Sequence, residues 1–310
     1  MRVRASEQAR TTVVVVTWRG RDHVSACLDA LTLQRPHRLL VVDNASDDGT
    51  SGILAEHPSL PEVLRSSRNL GYAGAMALAL ERVRTPFTAW LNDDAAPGPD
   101  WLAALEDALD ADPRTAAASA VLSTADGYTQ STGVRLTADG HGADAGSEPA
   151  FGFCGGAALL RTAALRAVGG VPAEFFCYYE DTDTSWRLRL AGHRVVSATE
   201  ARVTHLHGAS AQLGSARFHR WNERNRLLML LRCAPGRVAA RELARFTALT
   251  FALPLRRALG RTVSDAANFH LGPRLRVLAE VALGLPRALR ARRGLDRTAA
   301  RRVWAEWAGR

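Results

Sequence analysis

The segment Trp90-Leu91-Asn92-Asp93-Asp94 ends an apolar run in a carboxamide and two adjacent carboxylates. Burying such a cluster is costly unless a cation or a set of donors meets it. Its hard oxygens suit Mg2+ or Mn2+ holding a phosphorylated ligand. Asp93 or Asp94 would serve equally as a helix N-cap ahead of a solvated loop, so the cluster alone decides nothing. Two further groups carry chemistry. Glu180-Asp181-Thr182-Asp183 offers carboxylates able to take a proton from an attacking hydroxyl, although a helix dipole also favours acids in a first turn. Thr204-His205-Leu206-His207 offers two imidazoles, and alternation in an extended segment sets both on one face.

The elements that must position these groups follow from periodicity. Thr12-Val13-Val14-Val15-Val16-Thr17 is a short uncharged run, as expected of a central parallel strand covered on both faces. Val24 to Leu33 has helical spacing, and Leu39 to Asn44 is a second buried strand with a polar end. Ser46 to Thr50 is a turn into a short helix through His57, Glu62 to Ser66 a third strand, and Tyr72 to Val83 a helix. Pro86 breaks the chain before the strand that ends at Asn92, and Ala95-Ala96-Pro97-Gly98-Pro99 reads as a turn. This alternation predicts a doubly wound, mostly parallel α/β sheet, in which ligands meet the carboxyl ends of strands. Beyond it the pattern predicts a helix over Trp101 to Asp110, a strand over Ala116 to Leu122, and hairpins or a loop over Ser123 to Pro149. A strand over Phe151 to Leu160 and a helix from about Tyr178 to Leu190 follow, and residues 217 to 310 read as several helices.

The formal charge of +9 is unevenly placed: residues 211 to 310 hold 21 Arg against 6 acids, so the preceding part is net acidic. Nucleic-acid binding is set aside, because no reading module is present and acidic motifs would repel phosphate unless a cation intervened. No G-x-G-x-x-G follows the first strand, which disfavours a nicotinamide enzyme. No apolar run approaches the ~18 residues of a membrane span and the first residues lack a hydrophobic core, so a cytoplasmic protein is expected. Cys27, Cys154, Cys177 and Cys233 form no C-x-x-C pair and are expected as buried free thiols. Arginines interleaved with Leu, Val, Ala and, late, Trp304 and Trp307 suit amphipathic helices resting on an anionic bilayer at the inner face of the cell membrane. A solvated cap or a homodimer face would use the same pattern.

Val13 to Trp18, Val41 to Thr50, Asn69 to Ala75, Leu91 to Asp94, and Tyr179 to Asp183 with Trp186 to Gly192, taken in this order, resemble family 2 glycosyltransferases and their bacterial rhamnosyltransferase-like branch. The resemblance spans roughly residues 12 to 232. It implies a GT-A fold and an inverting transfer from a nucleotide-diphosphate sugar, a dTDP- or UDP-sugar such as dTDP-rhamnose. The acceptor it implies is a hydroxyl of a glycan or lipid-linked glycan, and the cofactor a divalent cation, Mg2+ or Mn2+. A nucleotide-sugar-binding and catalytic domain over 1 to 215 and an Arg-rich helical region over 216 to 310 are expected.

Carried onto this chain, the resemblance implies that Thr17, Asp43, Asn44, Asn69, Gly71 and Asp93 meet the donor nucleotide. Asp43 and Asn44 offer an acceptor and an amide that suit the imide edge of uracil or thymine. Asn69 would also cap the following helix, and Gly71 would leave room for the nucleoside. Asn92 stands at the first position of the family's D-x-D, which shifts metal ligation to Asp94. His205 joins Asp94, with His207 open as the alternative; Asp181 is the expected base, and Glu180 or Asp183 would orient the acceptor or shape the local potential. The competing reading is a catalytically silent relative that binds sugar nucleotide or a protein partner.

Overall fold

The computed structural model describes residues 9–205 and 214–309. His207 and the Gly208-Ala209-Ser210 run therefore lie outside the described residues. The chain divides into two compact units, Met1–Arg135 with Ala143–Ala209, and Leu136–Gly142 with Ser210–Arg310.

The first unit is built around β1 (Thr11–Thr17), whose Val13, Val14 and Val15 are wholly buried because both faces of the strand are covered. β1 pairs in parallel with β2 (Arg38–Asp43) and β4 (Phe87–Asn92), and β3 (Glu62–Arg65) lies beyond β2. The order β3-β2-β1-β4 reverses direction at β1, and the carboxyl ends on either side of such a reversal are where an open α/β sheet admits ligands. The sheet continues through β10 (Ala157–Arg161), β6 (Thr115–Ser123), β11 (Arg194–His205) and β5 (Ala95–Pro97), with β7 (Thr129–Ser131) added on β6. β5, β7 and β10 run antiparallel to their neighbours.

α1 (Val24–Leu31) and α4 (Trp101–Asp110) cover one face, inserting Val24, Leu28, Leu31, Leu102, Leu105 and Leu109 at helical spacing against Val13, Val15 and Leu91. Each buried Leu or Val of this kind stabilises by about 1.5–3 kcal/mol. α2 (Thr50–Glu56), α3 (Gly71–Leu80), α5 (Thr162–Ala167) and α6 (Glu180–Leu190) complete the unit.

Three local expectations are corrected. Ala95–Pro97 is an edge strand rather than a turn, because β11 supplies a partner in the register Ala95↔His205; a Pro is tolerated at such an edge. The strand expected from Phe151 begins at Ala157, since the preceding glycines let main chain approach other elements closely: a Cβ on Gly152 would sit 2.6 Å from Ser185 Oγ. Cys27 and Cys233 are buried free thiols, but Cys154 and Cys177 are half-buried.

β8 (Val134–Leu136) and β9 (Gly142–Asp144) form a separate hairpin whose tip belongs to the second unit. That unit consists otherwise of α7 (Ala216–Cys233), α8 (Gly236–Ala258), α9 (Leu271–Ala291) and α10 (Arg297–Trp307). Ser215 and Asp296 cap α7 and α10 by accepting from Phe218 N at 3.2 Å and Thr298 N at 2.8 Å. Part of the arginine content is interior. Arg226 is buried between Glu223 and Glu242 and donates to Asp139 O at 2.7 Å. Arg274 donates to Thr250 Oγ1 and Phe246 O, both at 3.0 Å, with its guanidinium 3.9 Å above the Phe246 ring. Among the described residues no helix is long and apolar enough to cross a membrane.

Candidate active site

Two consecutive glycines join the acidic motifs. β10 runs antiparallel to β4 with Ala157 opposite Leu91, so the chain entering β10 passes the carboxyl end of β4. There Gly156 O accepts from Asn92 N at 2.9 Å, while Gly155 N donates to Asp181 Oδ2 at 2.9 Å. Tyr72 of α3 fixes the peptide between the two glycines by donating its hydroxyl to Gly155 O at 2.6 Å. The strand-end carboxylates and the first turn of α6 thus share one edge of the sheet.

Asp93 and Asp94 are buried, at 5% and 7% exposure, and each meets one imidazole. Asp94 Oδ1 lies 3.1 Å from His205 Nε2, a neighbour created by the Ala95↔His205 pairing of β5 with β11. His205 Nδ1 lies 3.1 Å from Gln130 Oε1, and Asn92 Nδ2 is 3.2 Å from Nε2. Nδ1 thus faces a carboxamide oxygen, while Nε2 faces the Asn92 amide and the Asp94 carboxylate. Nε2 and Oδ1 are close enough to share a proton, and the same two atoms could turn to a cation. Among the described residues no group of three or more His, Cys, Asp or Glu side chains closes a metal cage. A two-ligand set of this kind suits an ion completed by phosphate oxygens and water.

On the other side of the carboxylates, His23 Nε2 lies 3.2 Å from Asp93 Oδ2, and that contact raises the imidazole pKa. Thr17 Oγ1 is buried without a hydrogen-bond partner, and a Cβ on Gly20 would fall 2.2 Å from it and 2.7 Å from Asp93 Oδ2. Gly20 thereby lets the loop after β1 lie against both side chains. Neither His23 nor Gln130 was marked by the sequence: His23 stands in no motif, and Gln130 lies in the Gly- and Ser-rich stretch read as hairpins or a loop.

Asp43 and its neighbours shape the end of β2. Asp43 is fully buried, accepting from Ser46 N at 2.9 Å and Ser51 Oγ at 2.7 Å and pairing with Arg65, whose own side chain is 52% exposed. Asn44 is committed within the fold: Nδ2 donates to Asn69 Oδ1 at 3.0 Å and Gly71 O at 3.2 Å, and Oδ1 accepts from Leu70 N at 2.8 Å. Asn69 Oδ1 also accepts from Gly71 N at 2.8 Å. Gly71 has φ +71°, and its missing side chain makes way for Phe176, whose carbonyl oxygen would be 2.2 Å from a Cβ there. The fold itself therefore requires the glycine.

The carboxylates of α6 differ sharply in their surroundings. Phe176, Tyr178 and Tyr179 all have positive φ, a strained approach of about 1–3 kcal/mol per residue that ends at Glu180. Asp181 accepts from Gly155 N and, at 2.5 Å, from Thr182 N; burial raises its pKa against these donors. Glu180 Oε2 is buried with no hydrogen-bond partner, and burial, then the neighbouring Asp181, pushes this carboxyl up to about 8. Asp183 is wholly buried and pairs with Arg187 Nε at 2.7 Å.

The chain is 28% identical over 229 residues to the N-acetylglucosaminyl-diphospho-decaprenol L-rhamnosyltransferase of Mycobacterium tuberculosis, covering 62% of this chain and 75% of that protein. Among solved structures it resembles a mannosyltransferase from Pyrobaculum calidifontis in complex with GDP-Man and Mn2+, with TM-score 0.53 and 21% identity, over 97% of this chain and 76% of the other. It also resembles S. aureus TarS in complex with UDP-GlcNAc, with TM-score 0.56 and 16% identity, over 96% and 91% of the two chains. At such identities the structures establish the fold, which is GT-A. The family model described as Glycosyl transferase family 2 matches residues 12–169, the stretch that contains the switch point, the β4 carboxylates and the two glycines, and the chain belongs to that family.

Proposed function

We propose that this protein is an inverting, metal-dependent glycosyltransferase that moves a sugar from a nucleotide-diphosphate donor to a hydroxyl of a lipid-linked glycan. dTDP-rhamnose is the first donor to test, because the mycobacterial relative is an L-rhamnosyltransferase. One observation supports the reading: Gly155 and Gly156 bond to Asp181 on one side and Asn92 on the other, so the β4 carboxylates and Asp181 share one sheet edge.

Asp94 and His205 would hold a divalent cation, which when bound offsets the charge that the leaving diphosphate develops. The residues do the remaining work. Thr17 and Asp93 face the donor's ribose and phosphate. Asp43 receives the base once the half-exposed Arg65 side chain swings off its carboxylate, while Asn44, Asn69 and Gly71 hold the loop shape around it. As the acceptor oxygen bonds to the anomeric carbon and the bond to the diphosphate oxygen breaks, Asp181 takes the acceptor's proton. Glu180, protonated below about pH 8, adds no second negative charge beside Asp181. Asp183 supports α6 through Arg187. Residues 1–215 would perform the transfer at the cytoplasmic face of the cell membrane, and the basic helices of 216–310 would keep the chain near anionic lipid.

The test is nucleotide-diphosphate release from UDP-, dTDP- and GDP-sugars with Mg2+ or Mn2+, on the full chain and on Asp181→Asn. The variant is expected to lose about 10²–10⁴-fold in turnover while calorimetric donor affinity stays unchanged. Retained turnover would move the base elsewhere. Donor binding without turnover in the full chain, for every donor and acceptor tried, would favour the silent relative.

A further inference from the structure

We infer that the outward face of α8 is a docking surface for an anionic lipid bilayer. This helix is apolar on two opposed sides. Phe246, Thr250 and Leu253 are buried within the helical unit, whereas Phe251, Leu255 and Leu259 are 61%, 61% and 64% exposed. The exposed three recur every fourth residue, so with Pro254 and Ala258 they form one stripe along the last turns of the helix and its end. At about 100° per residue, Arg256 and Arg257 fall on opposite borders of that stripe. Arg261 follows Gly260, and no acid occurs between Glu242 and Asp265. All three arginines are exposed, and none forms an ion pair with a described residue.

Apolar side chains bordered on both sides by unpaired guanidinium groups match the layering of a lipid surface. The stripe enters the acyl boundary and the arginines reach back to the phosphates. A second copy of the chain fits poorly, because a symmetric contact would set the same arginines against their own images with no acid to receive them. A nucleic acid would leave the stripe in water. This surface deepens the reading of a lipid-linked acceptor and rests on it for its purpose, yet vesicle binding needs neither donor nor acceptor.

The experiment is flotation of the full chain with vesicles of phosphatidylcholine alone and of phosphatidylcholine with about one third phosphatidylglycerol. Binding is expected on the anionic vesicles and is expected to fall as salt is added. Phe251→Ser with Leu255→Ser should reduce partition about tenfold or more, and Arg256→Gln and Arg257→Gln about fivefold each. All four positions are exposed, so circular dichroism and thermal melting should match the parent chain. Equal partition of the parent and the Phe251→Ser, Leu255→Ser variant would overturn the proposal. So would a dimer in sedimentation velocity that this variant abolishes, if the parent leaves vesicles unbound. Failure here, with sugar transfer retained, would leave the proposed reaction standing.

Discussion

Both units bury charge, but in opposite ways. At the sheet edge, Asp93, Asp94 and Glu180 are carboxylates with one imidazole neighbour or none, and one of them has a pKa displaced far upwards. In the helical unit, Arg226 lies between Glu223 and Glu242, and His141 joins Glu223 at 3.5 Å. Burial there would raise Glu223, yet the contacts with His141 and Arg226 bring it down to about 2. A buried charge matched by several protein partners belongs to the architecture, whereas sparsely partnered carboxyls at a sheet edge are where a binding site is sought.

That contrast can be broken at its strong end first. Arg226→Ala leaves Glu223 and Glu242 without their shared cation and should cost about 3–5 kcal/mol in denaturant unfolding of the helical transition. A loss below about 1 kcal/mol would mean the network is peripheral after all. Next comes the support of the site. Gln130→Leu removes the acceptor that fixes His205, so Mn2+ affinity measured by calorimetry in the presence of donor should fall about 10–100-fold with little change in melting temperature. Unchanged affinity would remove Gln130 as the positioning residue of His205.

The smallest effect concerns Glu180. Its folded pKa of about 8 stands above the ordinary 4.5, so the folded state binds the extra proton between those values. The resulting stability is complete below about pH 4.5 and is lost as pH climbs through 8. Glu180→Gln keeps the shape without the charge, so its melting temperature should decline less from pH 6 to 9 than that of the parent. Parallel declines would place Glu180 in a more hydrated setting.

What the sequence disclosed was local. Val13 to Val16 and Leu40 to Val42 announced central strands through β-branching and lack of charge, and the order of strands and helices carried the sheet as far as Asn92. The family motifs named the stretch that proved to surround the switch point. The parts that stayed hidden depend on pairing across long distances. Ala95 to Pro97 has the composition of a turn and becomes a strand because β11 reaches it after a register shift between Ala198 and Arg202. Gln130 acquires meaning through a histidine 75 residues away, and no periodicity links the two. Likewise the arginine-rich pattern said that some faces would be wet and basic; it could not say that Arg226 and Arg274 turn inward while Arg256 and Arg257 remain outside.

The Asp94–His205 pair beside β4 bears on how transfer would depend on metal. If these two side chains hold the proposed cation, one carboxylate and one imidazole would leave the rest of its coordination to the donor's phosphates and to water. The affinity for cation should then be much higher with donor present than without it, and a chelator that spares the protein's fold should stop transfer.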